Sequence, residues 1–468
     1  MGRSLQDAAR LRRIAVATFA AALAAAALLR ADLVVRRYFD TDETAHLHAA
    51  LLAAHGNVPF RDFFENHGPA MPALLAGVVA GQKTPYAAAL AGRALMSACW
   101  LGMLLLAARP RRGEDPLGGA LTAVLLAFFG AFALKSVEVR PDVPAALLLC
   151  GALASAASGR PRSGLAAGFL LGLGAWFSPK IVFAGAGLLA ASALRRGREG
   201  GRREAGRFLA RAAAGAAVPA FAGLSVFAAC GALRPLWNCY VVFNVLFRRA
   251  ALPWPTTLAP SLALDPLIWL LGLAGLWRWR RRPEEAGALA LGLAGLVVVP
   301  SAYPQYLLFL APPLAALASR ALLDWIEAGP RPARRAALAA LLLAAALARP
   351  AAAGLRLARE GNELQRERWA CVERLTRSEE RILDVWGGDS FHRPHAAWRW
   401  YLPEDVQAMF EPAPLERELV SALESPRTRG LVWCESCFER MPRAFVETAR
   451  RLYVPAGCGR LWLRRELR

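Results

Sequence analysis

The sequence predicts an all-α polytopic membrane protein, with about eleven membrane-spanning helices followed by a small soluble α/β domain. Of its 468 residues, 56% are hydrophobic, and they lie in long uninterrupted blocks up to residue 353. A helix needs roughly 20 apolar residues to cross the hydrocarbon core, and blocks of about that length recur. After residue 354 the apolar runs are short and alternate with charged residues. We therefore divide the chain into a membrane domain, 1–353, and a soluble domain, 354–468.

The basic residues between the apolar blocks predict the orientation. Arg-rich connections lie at 109–112, 160–162, 195–211, 278–282 and 320–335. Such connections are typical of the cytoplasmic side, which puts the N-terminus inside and the soluble domain outside, in the periplasm of a bacterium with the helices in its inner membrane. The first block is a signal anchor because further spans follow it. The predicted spans are 14–35, 86–108, 117–135, 143–157, 164–178, 181–194, 212–230, 263–277, 286–300, 306–326 and 336–353.

The formal net charge of +21 does not indicate a nucleic-acid partner. The basic residues lie in short runs between hydrophobic blocks, where they act as topology signals. Basic patches interleaved with exposed aromatic residues, which bind single strands, do not occur. We therefore expect membrane lipids, and no nucleic acid, as partners.

Two further segments have a predicted place. Segment 69–81 is too short to span and should lie in the membrane interface. In the soluble domain we expect strands at 382–386, 430–433 and 461–463, and a helix at 443–452. In an oxidising compartment its cysteines favour disulfides over a zinc site. Three pairings of Cys371, Cys434, Cys437 and Cys458 remain open.

The first outer loop, 36–85, contains the densest group of ionisable residues in the chain. They are Asp40, Asp42, Glu43, His46, His48, His55, Asp62, Glu65 and His67. The spacing predicts a helix over 42–54, capped by Asp40 or Thr41, with the acidic pair in its first turn. Carboxylates and imidazoles beside a membrane surface predict a functional site.

Within this loop we assign catalysis to Asp42. The first turn of a short helix holds a carboxylate rigidly above the bilayer, as a general base requires. His46 and His48 are two residues apart and point in different directions on a helix, so they do not readily bind one metal ion. A structural zinc site that includes His55 or His67 is the alternative for the histidines. His392 and His395 are expected at the surface of the soluble domain or in contact with the substrate.

The motifs of this loop resemble those of a known superfamily. Tyr38-Phe39-Asp40-Thr41-Asp42-Glu43-Thr44, followed by the segment from Gly56 to Pro69, is similar to the first periplasmic loop of GT-C glycosyltransferases. The resemblance is to the group of protein O-mannosyltransferases, lipid A aminoarabinose transferases and lipopolysaccharide-core galacturonosyltransferases. It implies the GT-C fold and a catalytic Asp-Glu pair, which maps onto Asp42 and Glu43.

Further motifs occur in the order that the resemblance implies. Glu138, Arg140 and Asp142 follow the third span, and Tyr303 and Gln305 precede the tenth. Together with Asp40 and Asp62 these residues form the predicted acceptor or carboxylate cluster. Glu138 and Asp142 could position the acceptor, orient Arg140 or, with Asp42, bind a divalent cation. The alternative is that Arg140 and its acidic neighbours only neutralise one another. The sequence leaves metal dependence open.

Lys180 is predicted to bind the donor phosphate. It is the single cation of its turn and lies beside hydrophobic spans, where an unpaired charge is costly. A phosphate that leaves with negative charge needs such a partner. Arg248 and Arg249, in the second long outer loop, are assigned to the same role. The alternative for Lys180 is that its ammonium reaches the lipid headgroups.

These observations predict an inverting glycosyltransferase. The donor is a polyprenyl-phosphate-linked sugar, and the acceptor is an envelope lipid, glycan or protein on the periplasmic face. The alternative is a transporter or lipid flippase without transferase activity. That class tends to show paired halves with broken helices near the midplane, whereas here the ionisable residues gather at one membrane face.

Overall fold

The computed structural model of the chain describes residues 2–110, 114–246, 253–299, 301–328, 332–385 and 388–467. The chain is mostly helical, and a small four-stranded sheet lies near its C-terminal end. The first nine helices are α1 (Gly2–Arg36), α2 (Thr41–Ala54), α3 (Ala70–Val79), α4 (Pro85–Ala107), α5 (Pro116–Phe128), α6 (Gly130–Lys135), α7 (Asp142–Ala157), α8 (Ser163–Phe177) and α9 (Ile181–Ala229).

The second half of the membrane domain contains shorter helical segments. They are α10 (Leu233–Leu236), a π-helix (Trp237–Val242), α11 (Phe243–Leu246), α12 (Trp254–Leu264), α13 (Pro266–Trp277), a 3₁₀ turn (Trp279–Arg281), α14 (Pro283–Val298), a 3₁₀ helix (Pro304–Phe309), α15 (Ala311–Glu327) and α16 (Pro332–Arg359). Helix α16 runs through residue 354, the predicted domain boundary. The apolar faces of α13–α15 join those of the earlier helices in one extended core, whereas α10 and the π-helix pack against the C-terminal unit.

Each predicted span overlaps a helix, but the structure differs from the prediction at two places. Segment 195–211, predicted to be a loop, is helical and joins two predicted spans into the 49-residue α9, which kinks at Gly201. Its Arg, Ala and Glu residues are good helix formers, and Gly201 supplies the positive φ of 81° that the kink needs. Conversely, the predicted span 117–135 is interrupted at Phe129, between α5 and α6.

Within the part of the chain that the structure describes, four helical segments are both long and apolar enough to cross a membrane: Arg12–Arg36, Pro85–Ala107, Ile181–Ala229 and Ala333–Leu375. A fifth candidate is the pair α12 and α13, which is bent by 106°. Several shorter apolar helices pack between them, including α5, α7 and α8. Eleven crossings and the inside–outside orientation stay predictions.

The C-terminal part is the small α/β unit that the sequence predicts. Its four strands are β1 (Arg381–Leu383), β2 (Thr428–Val432), β3 (Tyr453–Pro455) and β4 (Leu461–Arg464). They have the order β1-β2-β4-β3 in the sheet, with β1 and β2 parallel and the other pairs antiparallel. The helix Arg443–Leu452 has the predicted bounds, whereas strand β3 was not predicted. Trp386 lies outside the described residues. The remaining elements are α17 (Glu363–Leu375), α18 (Glu404–Gln407), α19 (Pro412–Glu424), α20 (Glu435–Phe438), α21 (Arg443–Leu452) and a 3₁₀ turn (Arg465–Leu467).

Two disulfides connect the cysteines of this unit. Cys371 of α17 pairs with Cys458 in the β3–β4 connection, and Cys434 pairs with Cys437. The structure therefore selects one of the three pairings that the sequence left open. The first bridge ties α17 to the sheet across 87 residues of chain.

The C-terminal α/β unit, called the soluble unit after the predicted domain, packs directly on α2 and on the segment before it. The side chain of Gln365 donates to Phe39 O at 2.8 Å and accepts from Phe39 N at 2.7 Å. Gly388 approaches α2 so closely that a Cβ there would lie 1.9 Å from Thr44 Oγ1. These contacts hold the soluble unit over the N-terminal half of α2.

Candidate active site

The first turn of α2 organises the site. Asp40 caps the helix: its side chain accepts from Asp42 N at 3.0 Å, while Glu43 accepts from Asp40 N at 3.0 Å. This reciprocal capping box satisfies backbone donors that a helix start leaves free. The prediction that Asp40 or Thr41 caps the helix is thus confirmed for Asp40. The cap fixes the directions in which the next two side chains point.

Asp42 points toward the soluble unit and stays partly open, with 28% of its side-chain surface exposed. One carboxylate oxygen accepts from Arg140 and the other from the phenol of Tyr401. Burial by itself raises the pKa of Asp42, but the Arg140 charge and the Tyr401 hydrogen bond outweigh it, so the pKa lies below its ordinary value. Asp42 is therefore an anion at neutral pH.

Tyr401 keeps its proton beside this anion. Burial, followed by the negative charge of Asp42, raises the pKa of Tyr401 well above its ordinary value. The phenol therefore donates its hydrogen bond throughout the neutral range. Because Tyr401 comes from the soluble unit, the site is complete only when that unit is docked on α2.

Glu43 points in the opposite direction and is fully buried. Its carboxylate pairs with the guanidinium of Arg93 at 2.7 and 2.9 Å and accepts from Val139 N at 3.0 Å. Arg93, also fully buried, donates in addition to backbone carbonyls at the C-terminal end of α1, including Arg37 O at 2.8 Å. The predicted catalytic partner of Asp42 is thus surrounded by protein and joins α1, α2 and α4.

Arg140 lies at the centre of a cluster of acidic side chains that includes Asp42. It pairs with Asp40 at 3.0 Å and contacts both Asp42 and Glu138. Glu138 is fully buried and also pairs with Arg37 at 2.5 Å and Lys135 at 2.8 Å. Charges buried in this way persist because each has partners. Glu138 thus makes the contact that the predicted role of orienting Arg140 requires, and the same contacts fit the alternative that Arg140 and its acidic neighbours neutralise one another.

Asp142 belongs to a second group, around Lys180. Its carboxylate accepts from Ser178 Oγ at 2.7 Å and lies 3.9 Å from Lys180 Nζ. The ammonium of Lys180 also lies 4.0 Å from the centre of the Tyr306 ring. Lys180 therefore already has an anion nearby, at a distance longer than a hydrogen bond.

An apolar slot lies below Lys180. Phe183 and Ala184 of α9, Gly292, Gly295 and Leu296 of α14, and Phe309 line it together with Tyr306. Glycines on α14 let the two helices approach closely, since a Cβ at Gly295 would lie 2.4 Å from the Phe183 ring. The slot is narrow: its volume is about 20 Å³, room for roughly one water molecule, so Lys180 lies beside a close apolar contact between α9 and α14.

The remaining predicted residues are dispersed. Tyr303 donates to Asp405 of α18 at 2.5 Å, and Gln305 is buried in the 3₁₀ helix below it. Asp62 pairs with its neighbour Arg61 at 2.8 Å and accepts from Val58 N, so it stabilises its own turn. Arg248 and Arg249 lie outside the described residues.

One group of side chains could hold a metal ion. Ligand atoms of His46, Glu65 and His67 lie within 4.8 Å of one another. Nδ1 of His46 is buried without a hydrogen-bond partner. Burial, followed by the neighbouring His67, lowers the pKa of His46 to about 3, so its ring is neutral and can ligate. Two imidazoles and one carboxylate form a donor set that suits Zn²⁺. The group includes His67, as the zinc alternative expected, but not His55.

The proposed cation set of Asp42, Glu138 and Asp142 does not form such a group among the described residues. Asp42 and Glu138 both contact the guanidinium of Arg140, and Asp142 contacts Lys180. His48 is also occupied, since its two ring nitrogens lie 2.6 Å from His395 Nδ1 and 2.6 Å from Phe391 O. Both of these partners come from the soluble unit, so His395 lies at the interface with α2.

Three important residues were missed in the sequence. Arg93 is an isolated arginine within a predicted span, and Arg37, which follows Arg36, lies just after another. An intramembrane charge by itself indicates a functional or structural site. That signal was available and could have identified Arg93. Tyr401 carried no signal, because it is 359 residues from Asp42 and follows no motif.

The chain resembles several solved structures throughout its length. ArnT from Cupriavidus metallidurans, bound to undecaprenyl phosphate, superposes with a TM-score of 0.65 over 96% of this chain and 97% of that one, at 13% identity. The apo state of the same protein gives 0.62 with the same coverage and identity.

The chain therefore has the GT-C fold.

A more distant match is the archaeal oligosaccharyltransferase AglB from Archaeoglobus fulgidus in complex with an inhibitory peptide and a dolichol-phosphate. It has a TM-score of 0.50 at 13% identity and covers 95% of this chain and 74% of that one. No family model and no curated protein sequence matches the chain. At these identities the likeness establishes the fold, which the sequence motifs predicted.

Proposed function

We propose that the protein is an inverting glycosyltransferase that moves a sugar from a polyprenyl-phosphate carrier to an envelope acceptor on the periplasmic face. One observation supports this above all. Asp42 is an ionised carboxylate that is held by Arg140 and Tyr401 and remains 28% exposed. This is the geometry of a general base that must meet a substrate hydroxyl or amine.

Lys180 supports the donor side of the proposal. Its ammonium lies at the start of α9 beside apolar residues of α14, a position that suits the phosphate of a membrane-embedded carrier. The solved relative ArnT is bound to undecaprenyl phosphate, and AglB to a dolichol-phosphate. Asp142, which contacts Lys180, lies two residues from Arg140, which contacts Asp42. The base and the phosphate partner are thus connected through the short segment 140–142.

The reaction is a single displacement. The acceptor oxygen or nitrogen attacks the anomeric carbon as the bond from that carbon to the phosphate oxygen breaks, and the bonding electrons leave with the lipid phosphate. The acceptor proton passes to Asp42, and Lys180 stabilises the charge on the departing phosphate. Attack from the side opposite the phosphate inverts the anomeric configuration.

The low pKa of Asp42 is compatible with this role. A weakly basic carboxylate cannot remove the proton of a free hydroxyl in advance, but it can orient that hydroxyl and accept the proton as the new bond forms. Glu43 has a structural role in this scheme, because its oxygens are engaged by Arg93 and by backbone N–H groups.

The test uses purified full-length protein and a lipid-linked sugar. We expect release of one polyprenyl phosphate for each sugar transferred, with the opposite anomeric configuration in the product by NMR. Retention of configuration would exclude the single displacement. Movement of the lipid-linked sugar across vesicles without release of polyprenyl phosphate would favour the flippase alternative.

A further inference from the structure

A large cavity lies at the opposite ends of the helices that form the candidate active site. Helices α4 and α7 begin at that site and end at this cavity, whose volume is about 670 Å³. It opens between the α4–α5 and α7–α8 connections and the start of α14. This face is the one for which the sequence predicts the cytoplasmic side.

The rim of the cavity is strongly basic. Arg109, Arg160, Arg162 and Arg282 line it, whereas Glu285 is its only acidic lining residue among those that the structure describes. Arg282 pairs with Glu114 at 2.6 Å and with Glu285 at 3.5 Å, so these acids are already engaged. Within the described ranges of the chain, the other three arginines have no carboxylate partner.

Uncompensated like charges around one cavity repel one another. A bound anion would relieve that repulsion, and guanidinium groups bind phosphate oxygens in a bidentate manner. Arg282 adds an independent indication, because its Nε is buried and has no hydrogen-bond partner. The rim therefore carries the chemistry of a phosphate site.

Below the rim the cavity becomes apolar. Along α7 its lining extends from Ser158 to Cys150, which corresponds to a depth of roughly 12 Å at 1.5 Å of helix rise per residue. Leu153, Leu170 and Pro312 line the deeper part. A free inorganic ion would gain nothing from these contacts, whereas a hydrocarbon chain attached to the phosphate would bury apolar surface.

We propose that this cavity binds the phosphate headgroup of an anionic membrane lipid, with an acyl chain in its apolar depth. The arginines face the headgroup, and the lipid fills the space between α4, α7, α8 and α15. Basic pockets between membrane helices on the cytoplasmic side are suited to such headgroups. The proposal is independent of the transferase function, since none of these residues contacts Asp42 or Lys180.

The test is native mass spectrometry of the full-length protein, titrated in detergent with dioleoyl phosphatidylglycerol, phosphatidic acid, phosphatidylcholine or inorganic phosphate. We expect one tightly bound anionic lipid. The variant Arg160→Gln/Arg162→Gln should bind it about 25-fold more weakly, at roughly fivefold for each arginine near the membrane surface. Tighter binding of phosphatidic acid or of phosphatidylglycerol identifies a phosphate monoester or a diester as the preferred headgroup.

Two controls separate the cavity from the general basic surface. Arg202→Gln/Arg203→Gln removes two exposed arginines of the predicted cytoplasmic connection that do not line the cavity, so lipid affinity should stay within about twofold. Ala166→Phe fills the cavity without a change of charge and should weaken lipid binding.

Equal losses in the two arginine variants would overturn the proposal, as would equal binding of phosphatidylcholine. Binding of inorganic phosphate as tight as that of the lipids would also overturn it, because the apolar depth would then play no part. The melting temperature provides a second readout. It should rise with the bound lipid in the wild type and in Arg202→Gln/Arg203→Gln, but not in Arg160→Gln/Arg162→Gln.

Discussion

Asp42 and Glu43 are adjacent in the first turn of α2, and each meets an arginine, but the two regions around them differ. Glu43 and Arg93 are both fully buried and bind backbone groups of three elements. Asp42 and Arg140 face the soluble unit, and the Asp42 side chain keeps 28% of its surface exposed. The closed pair therefore holds the helix starts together, and the open pair leaves a carboxylate exposed, as the proposed general base requires.

The difference follows from the helical geometry. Successive residues on a helix point about 100° apart, so two neighbouring acids cannot share one environment. The capping box fixes the start of α2, after which Glu43 must face α4 and Asp42 must face Tyr401. A mutation in each pair should therefore fail in a different way.

The largest effect on turnover is expected from Asp42→Asn. Loss of a general base lowers the rate by about 100-fold to 10,000-fold. The fold should persist, because Arg140 keeps Asp40 and Glu138 as partners. Turnover of a lipid-linked sugar and the melting temperature are measured together. Asp40→Asn is the matched control, since Asn caps a helix as well as Asp does. Near wild-type turnover in Asp42→Asn would show that Asp42 is not the general base.

Glu43→Gln should act on stability instead. It leaves the Arg93 charge buried and unpaired, which costs about 3–5 kcal/mol. We expect a lower melting temperature with nearly normal turnover per folded molecule. Arg93→Met in the same chain should restore part of the stability, because no buried charge then remains. If Glu43→Gln instead lost turnover at an unchanged melting temperature, Glu43 would have the catalytic role that the sequence motif predicts.

Arg140→Gln should change the pH dependence of turnover. Arg140 lowers the pKa of Asp42, so its removal raises that pKa, and Asp42 becomes protonated at a higher pH. The acid limb of kcat should therefore move upward by about one to three pH units. The measurement is a pH–rate profile of both proteins over their range of stability. An unmoved acid limb would show that another group controls it.

Lys180→Ala tests whether Lys180 binds the phosphate of the donor. Loss of a charge-assisted contact to phosphate costs about 1.5 kcal/mol, or roughly tenfold in donor affinity. Lys180→Arg should retain part of the affinity. Lys83→Ala, an exposed cation of the α3–α4 turn, serves as the control. Equal donor affinity in Lys180→Ala and wild type would show that Lys180 does not bind the donor phosphate, which leaves its contact with lipid headgroups as the explanation.

The smallest effect is expected from Asp62→Asn. Asp62 forms an ion pair with its neighbour Arg61 at the protein surface, and such pairs contribute little to stability. Turnover should be unchanged, and the free energy of unfolding should shift by no more than about 0.5 kcal/mol. A large loss of turnover in this variant alone would transfer the role of the base to Asp62.

Much of the molecule follows from local patterns in the chain. The apolar blocks predict the helices because a helix satisfies its own backbone hydrogen bonds in lipid, whatever its neighbours are. Asp40 predicts the start of α2, since a cap depends on a few adjacent residues. Three strands of the soluble unit, β1, β2 and β4, and the helix Arg443–Leu452 were likewise visible as short apolar or amphipathic runs.

The features that the sequence did not reveal depend on contacts between residues that are far apart in the chain. The sequence determined the helical membrane part, the small α/β unit, and the loop in which the reactive carboxylate lies. Only the tertiary structure decided that Glu43 is closed off by Arg93, that Tyr401 completes the site from the soluble unit, and which cysteines pair. Caps and apolar runs act over one or two turns of chain, whereas an ion pair or a disulfide depends on where separate elements meet in space.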